Sequence, residues 1–159
     1  MKLICAALLS LIALASQAAG NTLDVTVVST VDGVEVAKSV MAVRDDTPVL
    51  FTDNVFVQHA AGPVLTCLAG SKDCSEAISL TGPLRMGLTA VITARRGDKG
   101  KVLVEVDGRY ALKERGNGAA VIRMNNYQLT GARVVSLGET LDVENSAGGH
   151  VVKVSIKAE

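Results

Sequence analysis

Few residues in this 159-residue chain have the type and spacing to do more than pack: His59 and His150, the close pair Cys67 and Cys74, and the acids Asp45, Asp46 and Asp53. Nucleophilic catalysis would need Ser or Cys activated by His, with a third group orienting the base. No Gly-x-Ser-x-Gly elbow occurs, and both histidines read as surface or strand-end residues. A zinc site needs three or four clustered nitrogen, sulfur or acidic ligands, and no His-x-His, His-Glu-x-x-His or double Cys-x-x-Cys spacing is present. Asp45-Asp46 are adjacent, so on a strand they would face opposite ways rather than form an acid-base pair. Asp45, Asp46 and Asp53 lack EF-hand spacing for Ca²⁺. Gly97-Asp-Lys-Gly-Lys101 lacks the phosphate-loop pattern and reads as a solvated hairpin loop. Arg96-Gly97-Asp98 spells an adhesion tripeptide but also suits an ordinary turn. No catalytic residue, metal ligand or cofactor is therefore assigned.

The cysteines are read through the compartment. Met1-Lys2 is a short positive start, Leu3 to Ala15 is uncharged and nearly all apolar, and Ser16-Gln-Ala-Ala-Gly20 is mostly small. This arrangement predicts a cleaved secretory signal over residues 1–20. The apolar run is short of the about 20 residues that span a bilayer, and no later segment approaches that length. An uncleaved anchor and lipidation near Cys5 are the alternatives weighed. Removal of 1–20 takes Cys5 away and leaves Cys67 and Cys74, an even count that favours a disulfide in an exported protein. The segment between them is polar and contains Gly70. Free thiols rank second and a metal pair third. The expected compartment is the bacterial periplasm first, the extracellular space second.

Composition excludes other classes. There are 16 Lys+Arg and 16 Asp+Glu; losing Lys2 makes the exported chain only slightly acidic. Arg95, Arg96, Lys99 and Lys101 make one local basic cluster, but two Phe, two Tyr and no Trp leave no stacking platform beside it. Nucleic-acid recognition and sugar binding on aromatic platforms are both excluded on this count.

The elements that must position these residues are strands. Val supplies 23 and Thr 11 of residues 21–159, and β-branched side chains favour pleated sheet. Apolar residues alternate with polar ones at Leu23–Val27, Leu88–Ala94, Val102–Val106 and Val152–Ile156, the period of strands with one buried face. Hairpin turns are predicted at Asp32-Gly33, Gly97–Gly100, Asn117-Gly118, Ser136–Gly138 and Ser146–Gly149. Separate strands are predicted near 101–107, 119–124 and 129–136, and Cys74 to Leu80 is left as one possible short helical turn. The predicted fold class is all-β: an antiparallel β-sandwich or small barrel built of hairpins, in one domain over 21–159. Val31-Asp-Gly and Val106-Asp-Gly form a faint echo that would suit two half-sandwiches split near 60–84; a common hairpin signal explains it more simply. Pro63 and Pro83 bracket the segment that reads as an irregular insertion or linker.

The stretch Met86-Gly-Leu-Thr-Ala-Val-Ile-Thr-Ala-Arg-Arg-Gly-Asp-Lys-Gly-Lys-Val-Leu-Val-Glu-Val106 resembles a strand pair from the β-domain of secretin-type outer-membrane proteins. Gly131-Ala-Arg-Val-Val-Ser-Leu-Gly-Glu-Thr-Leu-Asp-Val143 is similar to that family's next segment, where Gly-Glu follows a valine-rich strand. No Gly-Gly-Leu follows it. The resemblance implies an envelope protein built on similar hairpins, an accessory of a pilus, conjugation or secretion apparatus. It carries no functional residue across.

The resulting expectation is an exported, non-enzymatic structural or binding module with protein partners in the cell envelope, no nucleic-acid partner and no transmembrane helix in the mature chain. Contact would run through sheet edges and hairpin tips, with the strand His150 to Lys157, including Val152 and Val154, as the candidate edge. One alternative is a secreted inhibitor presenting loop 67–74 with Lys72 as its probe residue. A small periplasmic hydrolase using His59 or His150 ranks last.

Overall fold

A computed structural model describes residues 22–58, 62–80, 82–114 and 121–159, with the side chains of 76–80 left aside. Ten strands account for nearly all of it: β1 (Thr22–Val31), β2 (Val34–Arg44), β3 (Val49–Val57), β4 (Gly62–Leu68), β5 (Cys74–Leu80), β6 (Leu84–Arg96), β7 (Lys101–Glu114), β8 (Ile122–Ser136), β9 (Thr140–Ala147) and β10 (His150–Ala158). One 3-10 turn, Asp98–Gly100, joins β6 to β7. The protein is all-β, as the alternation and the valine content require.

Two sheets share one core. The smaller has the order β2-β1-β10-β9 and the larger β3-β6-β7-β8-β4-β5. Leu23, Val25 and Val27 of β1 and Val152, Val154 and Ile156 of β10 are buried against Leu88 and Ile92 of β6, Val104 of β7, and Tyr127 and Leu129 of β8. Each inward side chain removes apolar area from water, worth roughly 1.5–3 kcal/mol for a fully buried Val, Leu or Ile. At one flank β9 lies over β8; at the other β2 approaches β6.

Several elements depart from the sequence expectation. The hairpins at Asp32-Gly33, Gly97–Gly100, Ser136–Gly138 and Gly148-Gly149 fall where expected, but Asn117-Gly118 lies outside the described residues. Cys74–Leu80 is a strand rather than a helical turn, because its backbone pairs antiparallel with β4. The strand expected over 129–136 runs unbroken from Ile122, and β7 extends to Glu114 beside it. Residues 62–80 are no insertion: they form a hairpin whose first strand pairs with β8 in parallel, Val64 opposite Ile122 and Leu68 opposite Asn126. The sheets do not divide the chain at 60–84, since the first two and last two strands make one of them. The Val-Asp-Gly echo has no structural counterpart: Asp32-Gly33 is a turn, whereas Asp107-Gly108 lies within β7.

The expected edge at His150–Lys157 is overturned. β10 sits between β1 and β9, hydrogen-bonded on both sides, and Val152 and Val154 are fully buried. A strand that is apolar on one face and paired along both margins cannot accept another strand. Among the described residues the edge strands are β2 and β9 in the small sheet and β3 and β5 in the large one.

Among the described residues, no helix is long and apolar enough to cross a membrane.

Candidate functional site

The residues singled out for chemistry are mostly engaged structurally. His59 lies outside the described residues. His150 places Nδ1 2.8 Å from Asp32 Oδ2, and the Val151 amide donates to Asp32 Oδ1 at 2.8 Å. The hydrogen bond from His150 and that from Val151 hold the Asp32 carboxyl below its ordinary range. The pair resembles the base-and-orienter half of a triad, but no hydroxyl or thiol is hydrogen-bonded to His150 among the described residues. It therefore ties the first hairpin turn to the last strand.

Asp45 and Asp46 serve the β2–β3 connection. Asp46 Oδ1 accepts from Arg95 Nε at 2.7 Å, Asp45 Oδ1 accepts from the Arg96 amide at 2.7 Å, and Arg96 Nη2 donates to the Thr22 carbonyl at 2.7 Å. These contacts also occupy half of the basic cluster and the Arg of the Arg-Gly-Asp tip. Asp53 lies well along β3, opposite Leu88, so the three acids are not gathered.

Cys67 and Cys74 are disulfide-bonded, directly opposite one another on β4 and β5 with Cα atoms 4.2 Å apart. A disulfide fits an oxidising, exported compartment. Lys72 is exposed in the loop it closes. The base of that loop is held down: the Ala69 amide donates to the Asn126 carbonyl at 2.9 Å, and Arg123 Nη2 donates to the Ser71 carbonyl at 3.3 Å.

Two surface features with capacity for recognition lie on the large sheet; the small sheet's edge strand β2 also exposes Val34, Val36 and Val40. The first is the edge strand β3. Among the described residues it pairs with β6 on one side only, and Leu50, Val55 and Phe56 are 67%, 64% and 64% exposed. Val55 and Phe56 are neighbours and must point to opposite faces; since both are exposed, this end of β3 stands clear of the small sheet. An unpaired row of backbone donors and acceptors with apolar side chains above and below is a template for another strand. Natural edges are usually blunted by charges, Pro or bulges; β3 has no Lys or Pro, and its one charge is Asp53.

The second feature is a trough on the outer face. The large sheet curls enough for Val64 of β4 and Leu84 of β6 to pack with Met124 of β8, although β7 and β8 intervene in strand order. Gly87, at φ 107°, permits the bend, and a Cβ there would sit 2.3 Å from the Asp53 carbonyl oxygen. Opposite it stands Ala111. These small residues leave a depression bordered by Asn54, Thr66, Arg85, Thr89, Arg109 and Asn126. Oriented to satisfy both of its polar atoms, the Asn54 amide oxygen accepts from Arg85 Nη2 at 2.7 Å and from Nε at 3.1 Å.

Sequence reasoning missed both features. The adjacent apolar pair Val55-Phe56 breaks strict alternation and signals a strand exposed on two faces. Gly87 inside a strand pattern signals a bend or close backbone approach.

No protein-family model and no curated protein matches this chain. Among solved structures it is similar to the InvG secretin domain β-barrel of the Salmonella SPI-1 injectisome, at 11% identity over 87% of this chain and 59% of that one, TM-score 0.46. It is similar also to InvG in a near-atomic cryo-EM structure of that injectisome secretin, at 11% identity over 87% and 60%, TM-score 0.47. A third likeness is to an atomic model of the basal body proteins InvG, PrgH and PrgK, at 11% identity over 87% and 43%, TM-score 0.47. The chain thus spans about 59% of the first of these. Each of these likenesses is weak.

Proposed function

We propose that this chain is an exported, non-catalytic binding module of a cell envelope, in the periplasm first and outside the cell second. It engages a protein partner by accepting an extended strand along β3. The observation that supports this reading is the free β3 edge with Leu50, Val55 and Phe56 exposed beside it. Backbone hydrogen bonds would give such a complex its affinity, and pockets for alternate side chains its selectivity. The finer reading, an accessory of a pilus, conjugation or secretion apparatus, rests on the sequence resemblance of 86–106 and 131–143.

The test is partner capture by variants. Phe56→Lys and Val55→Lys place charges on an exposed edge and should leave the fold within about 0.5 kcal/mol of the parent, while partner recovery falls at least tenfold. Undiminished recovery with both variants would show that the partner does not add along β3.

A second reading, inhibition of an enzyme through loop 67–74, is favoured by one observation: Lys72 is exposed on a loop closed by the disulfide and held at its base by Arg123. Loss of inhibition on Lys72→Ala, with the fold intact, would support that reading over strand addition.

A further inference from the structure

Strand addition makes no use of the trough on the outer face of the large sheet. Arg95, Arg123 and Arg133 each have a carboxylate partner. Arg85 is turned to the Asn54 amide. Arg109 has no carboxylate within ion-pair distance among the described residues, although it stands at the middle of a four-strand row, opposite Thr89 on one side and Gln128 on the other. The far end of the same depression is apolar: Val64, Leu84 and Met124 form a small cluster apart from the sandwich core and line it.

We propose that the trough binds a small organic monoanion carrying a short apolar chain, with its carboxylate on Arg109 and its chain running over Ala111 toward Val64, Leu84 and Met124. A guanidinium presents a planar fork that matches a carboxylate with two parallel hydrogen bonds. The Asn54 amide oxygen occupies Arg85 Nη2 and Nε, which leaves Arg109, among the described residues, as the guanidinium of the depression whose fork is open to a carboxylate. The apolar end adds affinity by removing the chain from water. The depression holds about 220 Å³, room for a chain of a few carbons and less than the roughly 300–1,000 Å³ of pockets for drug-sized ligands. This inference does not rest on strand addition at β3.

The test is a titration of the uniformly ¹⁵N-labelled exported chain with hexanoate, hexylammonium, hexanol and inorganic phosphate, followed by amide chemical shifts. Saturable hexanoate shifts centred on Gly87, Arg109 and Ala111, with the other three binding at least tenfold more weakly, are the expected result. Arg109→Gln should weaken hexanoate at least tenfold while the amide pattern of β1 and β10 stays unchanged. Ala111→Leu, which fills the floor, should do the same by occupying the chain's path. Equal binding of hexanol, hexylammonium or phosphate, no saturable hexanoate shift, or undiminished binding by Arg109→Gln would overturn the proposal.

Discussion

His150 Nδ1 stands 2.8 Å from Asp32 Oδ2, so the turn between the first two strands is fastened to the start of the last. Asp32 holds a left-handed backbone at φ 52°. Its two carboxylate oxygens are divided between the His150 ring and the Val151 amide, and its own amide donates to the Val151 carbonyl at 2.8 Å. In a chain where β1 and β10 are the central pair of the small sheet, this contact closes the register at one end.

The pH dependence follows from that contact. The Asp32 carboxyl is held below its ordinary value of 3.8, chiefly by the hydrogen bond from His150 and next by that from Val151. A group with a depressed folded value contributes stability that is present above its unfolded value and lost as pH falls through the folded one. Urea unfolding between pH 5 and pH 2.5 should therefore show stability declining below about 3.8. Asp32→Asn, which tolerates the same backbone, should flatten that decline. A smaller slope should remain from Glu139, whose carboxyl is lowered by the Ser136 amide. An unchanged slope in Asp32→Asn would contradict the assignment.

Ser29 is an exception inside the valine stripe of β1. It is 1% exposed, and its hydroxyl has no hydrogen-bond partner among the described residues. A buried unsatisfied polar group costs about 1–3 kcal/mol. Ser29→Ala should accordingly be neutral or raise unfolding free energy by about 1 kcal/mol, read by urea denaturation. A loss of more than about 1 kcal/mol would mean that the hydroxyl has a partner.

The Cys67–Cys74 bond closes a short loop. In the chain-entropy treatment such a loop constrains the unfolded state by about 2–3 kcal/mol. Cys67→Ala with Cys74→Ala should lower stability by that amount and act locally, since β4 is also held by β8. Amide exchange should then quicken in 62–80 while β1 and β10 stay protected.

How the strands are arranged explains what could be read from sequence. Alternation at Leu23–Val27, Leu88–Ala94, Val102–Val106 and Val152–Ile156 reports which face of a strand is buried, and all four stretches are strands with that face in the core. Alternation says nothing about neighbours. That Val152 lies opposite both Val31 and Asn145, and that Val64 lies beside Ile122 in parallel, depends on packing between residues far apart in the chain. The β10 edge expectation failed for this reason. The Cys67–Cys74 bond was legible because it is local. The trough was not, because Val64, Leu84, Arg109 and Met124 come from four strands that meet only when the sheet curls.

The corrected position of β10 makes its own prediction. Pro at Val154 removes an amide from a strand paired on both sides, and should destabilise the whole sandwich by about 3 kcal/mol or more. On an exposed edge strand the same change would spare the fold and impair partner capture alone. Circular dichroism and urea unfolding of Val154→Pro separate the two outcomes: a folded Val154→Pro of parental stability would contradict the paired, buried position.

Strand addition at β3 is tested by amide hydrogen exchange of the chain with and without its crosslinked envelope partner. Amides of Val49–Val57 should become more protected in the complex, those of β10 should be unchanged, and Phe56→Lys should abolish the difference. New protection confined to loop 67–74, or none along β3, would contradict strand addition there.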